Sequence, residues 1–186
     1  MPGTYCDVAA GHPIHGPFHD HEHGFPVRSD QELFERLALE INQAGLSWLT
    51  VLRKREAFRK AFAGFNPEEV AQFTATDVER LMSDAGIVRN RLKIEALIHN
   101  ARVLLELRDS HGGFAQWLDA HHPRPLPDWV KLFRKTFRFA GGEIVNEFLM
   151  GTGYLPGAHR EDCPVYARLQ RLANRNSSRG QRRSSS

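Results

Sequence analysis

The chain is 186 residues long, 41% hydrophobic and 25% charged, a globular composition rather than a disordered one, and no apolar run approaches the about 18 residues of a membrane span. Its formal net charge is +3, but six arginines and no acid lie from Arg168 onward, so removing them leaves residues 1–167 at −3. The basic balance therefore belongs to the C-terminal stretch, residues 168–186, whose Ser/Arg-rich sequence predicts a disordered tail after a single domain over residues 1–167.

Start and stop signals for helices recur along the body. Ser29-Asp30-Gln31-Glu32 reads as a capping box ahead of Leu33, Phe34, Leu37 and Ile41 at helical spacing. Leu46, Leu49, Leu52, Phe58 and Phe62 continue the pattern until Gly64 closes it. Asn66-Pro67-Glu68-Glu69 places an N-cap, a proline at the first helical position and acids in the first turn. Thr76 to Glu79 reads as a second capping box, and after Gly86 the residues Ile94, Leu97, Ile98, Ala101, Leu104 and Leu105 keep a helical period. A short helix around Phe114, Trp117 and Leu118 precedes the break at Pro123 to Pro127. Trp129 to Phe133 and Ile144 to Met150 supply the last two. No segment alternates with the period of a strand. One all-α domain is expected, with irregular segments at each end.

Those irregular ends hold the metal-ligand chemistry. Cys6 and His19 stand near one end, His159 and Cys163 near the other, and two thiolates with two imidazoles suit a closed tetrahedral zinc site. Such a site would clip together segments with little apolar content of their own. Two other readings stay open on the residues alone: both cysteines as small buried side chains, or a metal held by the cluster His12, His15, His19, His21 and His23. The N-terminus lacks the basic and apolar regions of a signal peptide, so a reducing cytoplasm is the expected location.

Several longer stretches carry a resemblance. Phe18-His19-Asp20, Glu22 and Gly24 lead to Leu39-Glu40 and the run Gln43-Ala44-Gly45-Leu46-Ser47-Trp48. Asp84-Ala85-Gly86-Ile87 follows, with Arg89, Arg91 and Lys93, and His159 and Cys163 end the match. Together with Cys6 these resemble the DNA-3-methyladenine glycosylase I family of the helix-hairpin-helix glycosylase superfamily. The resemblance implies an all-α fold with a structural zinc on Cys6, His19, His159 and Cys163. It implies hydrolysis of the N-glycosidic bond of an alkylated purine, 3-methyladenine, flipped out of double-stranded DNA. Strand cleavage is not expected, because no lysine stands out as a Schiff-base nucleophile, and a monomer is expected. By resemblance Glu40 is the catalytic-pocket carboxylate that reads the base, Trp48 a stacking face, and Phe18 and His23 further base-binding positions. Leu46 is the wedge that fills the gap left by the flipped base. Gly86 marks a hairpin whose amides face a phosphate, with Arg89, Arg91 and Lys93 neutralising neighbouring phosphates.

The chain also departs from the family pattern around the pocket. Phe18 stands where the family has tyrosine, His23 where it has tryptophan, and Asp7-Val8 where a further tryptophan follows the first cysteine. The ring at position 18 keeps its place and loses its hydroxyl. An imidazolium at His23 would repel a cationic base below about pH 6.5. Three activities fit these departures: excision of 3-methyladenine, excision of a different modified base, or binding of damaged DNA without catalysis. A zinc-clipped helical interaction protein is the alternative outside nucleic acids.

Overall fold

The computed structural model describes the backbone of residues 4–183 and the side chains of residues 4–174. Among these residues every regular element is helical. The organising element is α3 (Asp30–Gln43), capped by the Ser29 hydroxyl, which accepts from the Glu32 amide at 3.3 Å. Every residue from Leu33 to Asn42 is buried, because α4 (Trp48–Ala61), α7 (Arg91–His111), α8 (Phe114–His121) and α10 (Gly142–Gly151) pack around it. A helix enclosed on all sides must bury its polar residues too, here Glu35, Arg36, Glu40 and Asn42.

The rest of the core follows from aromatic packing. Phe62 stacks on Phe65 with ring centroids 5.7 Å apart, and Phe114 stacks on Phe148 at 5.7 Å beside Trp117, Phe133 and Phe137. The long α7 carries Ile94, Leu97, Ile98, Ala101 and Leu104 into this core and receives α5 (Pro67–Ala71) and α6 (Ala75–Ser83) on its flank. Asp30 closes α8 from a distance: its carboxylate accepts from the Phe114 and Ala115 amides at 2.9 and 3.1 Å. The helix α9 (Leu126–Thr136) lies against α10.

Four expectations change. The N-terminal segment is not irregular but forms two short helices, α1 (Tyr5–Ala9) and α2 (His15–His21), packed on each other. The second capping box belongs to Thr74 and Asp77, two residues earlier than expected, leaving Thr76 inside α6. Residues 168–183, expected as disordered tail, continue α11 (Pro164–Arg183), while 184–186 lie outside the described residues. Val165 and Leu169 anchor that helix beside Cys6, Cys163 and Phe25, so packing reaches past residue 167, and extending an anchored helix needs no new nucleus.

The fourth change concerns Lys93, assigned above to a phosphate. Its side chain is buried, and its ammonium donates to the carbonyls of Asn42 at 3.1 Å and Ala44 at 2.6 Å. It therefore satisfies the C-terminal end of α3 and pins the loop that leads to α4. Charged hydrogen bonds of this kind contribute about 1.5–3 kcal/mol. Lys93→Met, which keeps the apolar stem, is expected to lower unfolding free energy by about 2 kcal/mol in urea denaturation while leaving the salt dependence of DNA binding unchanged. Parental stability together with a weaker salt dependence would place Lys93 at a phosphate instead.

Candidate active site

At one corner α1, α2 and the irregular segment leading into α11 bring Cys6, His19, His159 and Cys163 together, all buried, with one ligand atom from each lying within 4.8 Å of the others. His19 Nε2 is 3.1 Å from His159 Nδ1, and Cys163 Sγ is 3.8 Å from each of them. A tetrahedral zinc with ordinary bond lengths separates two nitrogens by about 3.3 Å and nitrogen from sulfur by about 3.6 Å, close to these spacings. The far ring nitrogens are already committed: His19 Nδ1 donates to Asp20 Oδ1 at 2.7 Å and His159 Nε2 to the His23 carbonyl at 2.7 Å. The two near nitrogens then face each other as lone pairs, an arrangement that calls for a cation between them. Burial pushes the Cys6 thiol up, so two thiolates here also need a positive partner. The donor set fits a metal ion. His21 is exposed and outside the group, His12 accepts the Ile14 and His15 amides, and the histidine-cluster alternative does not form.

Beside that corner lies a cavity of about 170 Å³ lined by Tyr5, His23, Glu40, Gln43, Trp48, Glu143 and Glu147. Glu40 comes from the middle of α3 and is only 8% exposed, yet no hydrogen bond or ion pair reaches its carboxylate among the described residues. Burial, with Glu147 and Glu143 adding negative charge nearby, pushes its carboxyl up to about 8, against a smaller opposing pull from Arg36. Trp48 opens α4 after the Ser47 cap and presents its indole to the same cavity. His23 lines the wall as expected, but burial and the positive charge of Arg36 push its imidazole down to about 3. The ring is therefore neutral across ordinary pH, which removes His23 as a cause of lost activity below pH 6.5; a metal ion near His159 would act in the same direction.

Phe18 is placed differently from the expectation. It is 3% exposed and does not line the cavity; it stands behind the wall, in edge contact with Trp48 at 5.3 Å and near His23 at 5.9 Å. The Arg36 guanidinium lies 4.6 Å from its ring. The hydroxyl in this pocket belongs to Tyr5, which meets His15 Nδ1 at 3.2 Å. Tyr5, Gln43, Glu143 and Glu147 are the lining residues that sequence reasoning missed. Two of them carried a local signal: Tyr5 stands next to Cys6, and Gln43 opens the run that ends at Trp48.

An ion-pair network fixes the segment that bears His23. Arg55 donates from both terminal nitrogens to Glu22 at 2.8 and 2.7 Å and from Nε to Glu35 at 2.5 Å, tying that segment to α3 and α4. Gly24 has φ +81°, and a Cβ there would stand 2.8 Å from that of Ala158, so only glycine lets the chain pass the His159 strap.

The remaining expected contacts sort into three states. Leu46 is 39% exposed in the loop between the pocket residues Gln43 and Trp48, where an unstacking wedge would stand. Gly86 does not offer its amide to a phosphate, because that N–H donates to Asp84 Oδ1 at 2.8 Å; the glycine is needed since a Cβ would stand 3.0 Å from the Cβ of Ala57. Lys54 holds this turn on α4, donating to the Ala85 and Gly86 carbonyls at 3.1 and 3.3 Å. Arg91 is exposed and paired with Glu79 at 2.7 Å, whereas Arg89 is exposed with no ion-pair partner among the described residues.

Comparison with known proteins places this geometry. The methyladenine glycosylase family profile matches residues 8–128. The chain is 34% identical over 180 residues to the DNA-3-methyladenine glycosylase of Haemophilus influenzae, covering 87% of this chain and 97% of the relative. It is 35% identical to DNA-3-methyladenine glycosylase 1 of Escherichia coli over 87% of this chain and 96% of that one. The solved structure of 3-methyladenine DNA glycosylase I from Staphylococcus aureus superposes with a TM-score of 0.77 at 34% identity, covering 88% and 98% of the two chains. Matches of this extent cover most of the chain, which belongs to the methyladenine glycosylase family.

Proposed function

We propose that the protein is a monofunctional DNA glycosylase that removes 3-methyladenine from double-stranded DNA by hydrolysing its N-glycosidic bond. The observation that carries this reading is the buried, partnerless Glu40 facing Trp48 in a cavity whose lining holds no cationic side chain. A neutral base gains little from such a site. A cationic one finds a carboxylate in a low-dielectric setting and an indole face, both attractive to positive charge. Methylation at N3 makes the base cationic within DNA, so it leaves as the neutral molecule. Water adds to the sugar carbon and one proton is released. The pocket's part is to hold the flipped base in an orientation that favours departure, with Glu40 as the catalytic and base-reading carboxylate. No lysine lines the cavity, which fits simple hydrolysis without a Schiff base.

Zinc on Cys6, His19, His159 and Cys163 is the structural cofactor of this reading, and it supplies a fixed tetrahedral anchor rather than chemistry on the base. The turn between α6 and α7 is the hairpin, meeting DNA as a monomer through exposed Arg89 and Arg91, with Leu46 inserting into the stack. No described helix is long and apolar enough to cross a membrane.

Two outcomes test these assignments. Release of 3-methyladenine from methylated DNA is expected to rise with pH between about 6 and 8, as the proton on Glu40 stops competing with the cationic base. Glu40→Gln should lower kcat/KM by roughly 10²-fold and flatten that profile; equal activity, or an unchanged profile, would remove Glu40 from the reaction. Elemental analysis should find one zinc per chain. Chelation or Cys163→Ser should lower the melting temperature while far-UV circular dichroism keeps most of the helical signal, since the aromatic core lies elsewhere. Absence of zinc, or full zinc content in Cys6→Ser, would dissolve the four-ligand site.

A further inference from the structure

Glu143 and Glu147 lie one turn apart on α10 and both face the cavity that holds Glu40. Like charges at this spacing disfavour a helix, so helix stability does not explain the pair. Glu143 has an ordinary reason to be there, as an acid in the first turn of α10. Glu147 sits in the middle of the helix, half-buried, with a single long contact from Asn146 Nδ2 at 3.4 Å and no cation within ion-pair distance among the described residues. Opposite it stands Glu40, more than nine-tenths buried and itself without a partner. Three carboxylates thus run from the mouth of one cavity to its floor. Arg36, the cation that acts on Glu40, donates from Nη2 to the Gly151 carbonyl at 3.0 Å, and its buried Nη1 makes no hydrogen bond and stands 3.6 Å from Glu22.

We propose that Glu147 is a second base-reading carboxylate, accepting hydrogen bonds from the amino or ring N–H groups of a cationic purine held against Glu40 and Trp48, with Glu143 drawing the cation to the mouth. The proposal rests on the glycosylase reading above and adds specificity to it: two inner carboxylates reward positive charge and penalise a neutral base that cannot repay their repulsion. Burial pushes the Glu147 carboxyl up as well. The groups that act on the two acids are Glu143 and Asn146 from α10 and Arg36 from α3, while Tyr5 from α1 and His23 from the segment after α2 line the same cavity. The exposed Lys131, Arg134 and Lys135 of the adjacent α9 act on neither.

The test is single-turnover release of 3-methyladenine from methylated DNA by parent, Glu147→Gln and Glu147→Asp across pH. At pH 8.5, above the Glu40 midpoint in the parent, Glu147→Gln is expected to release the base roughly fivefold more slowly. Its acid limb should move to lower pH, because Glu40 loses a negative neighbour, so the deficit narrows or reverses near pH 6. Glu147→Asp should recover the parental limb. A purely structural role would lower the rate by one factor at every pH, and that result, like parental rates throughout, would overturn the proposal. A second arm does not need catalysis. Quenching of tryptophan fluorescence by 7-methylguanosine and by guanosine, in mildly acidic buffer where the methylated nucleoside keeps its N1 proton and is a cation, measures the preference of the pocket for a cationic purine. The parent should prefer the methylated nucleoside and Glu147→Gln should lose several-fold of that preference with guanosine unaffected. An unchanged ratio, including equal weak binding of both, overturns the assignment even if no base is released. Release failing while the ratio depends on Glu147 would instead overturn the glycosylase reading alone.

Discussion

A carboxylate placed in the interior without a partner is among the more unfavourable arrangements a fold can hold, and Glu40 on α3 is such a group. The surrounding helices enclose α3 so completely that its side chain has no route to solvent except through the cavity. Burial and the acids of α10 keep it protonated near neutrality, and only an incoming positive charge makes the ionised form favourable. Much of the neighbouring architecture accommodates this one position. Arg36 is held back by Glu22 and Gly151, Arg55 clamps Glu22 and Glu35, and Lys93 closes the end of α3 just beyond the pocket.

The metal corner is coupled to the same pocket by short covalent and hydrogen-bonded paths. Tyr5 precedes the ligand Cys6, and the ligand His159 donates to the carbonyl of His23, so the two residues that form one wall are attached directly to the clip. An anchor between α2 and the segment leading into α11 closes a loop of well over a hundred residues around the core. This is where a cross-link restricts the unfolded chain most in principle. A metal ion held by these four residues would thus act through the placement of that wall rather than on the bond that breaks.

Much of this was legible in the sequence, for identifiable reasons. Helices with strong caps and a continuous apolar face, such as α3, α5 and α7, announced themselves locally. The quartet Cys6, His19, His159 and Cys163 was one of the sets that ligand chemistry left open; the resemblance selected it, and the fold brings the four together. Glu40 and Trp48 were found through the resemblance, and the cavity holds both. What failed was long-range. Lys93 reads as a surface cation until the ends of α3 and α7 are seen to meet, and Gly86 reads as a phosphate-facing amide until Asp84 is seen to accept its N–H. Phe18 keeps the family position but lies behind the wall, while Tyr5 carries the hydroxyl. Glu143 and Glu147 look like solvated helix charges because the carboxylate they oppose is about a hundred residues away in the chain.

The claim on which the account turns is the protonation state of Glu40 in the empty pocket. Infrared difference spectra between the parent and Glu40→Gln, recorded from pH 4 to pH 10, isolate the carbonyl stretch of that one carboxylic acid. The account predicts a protonated band still present at pH 7 that disappears with a midpoint near 8, and that is lost at pH 7 when a cationic purine binds. A carboxylate already ionised at pH 6, with a midpoint near the ordinary 4.5, would contradict it.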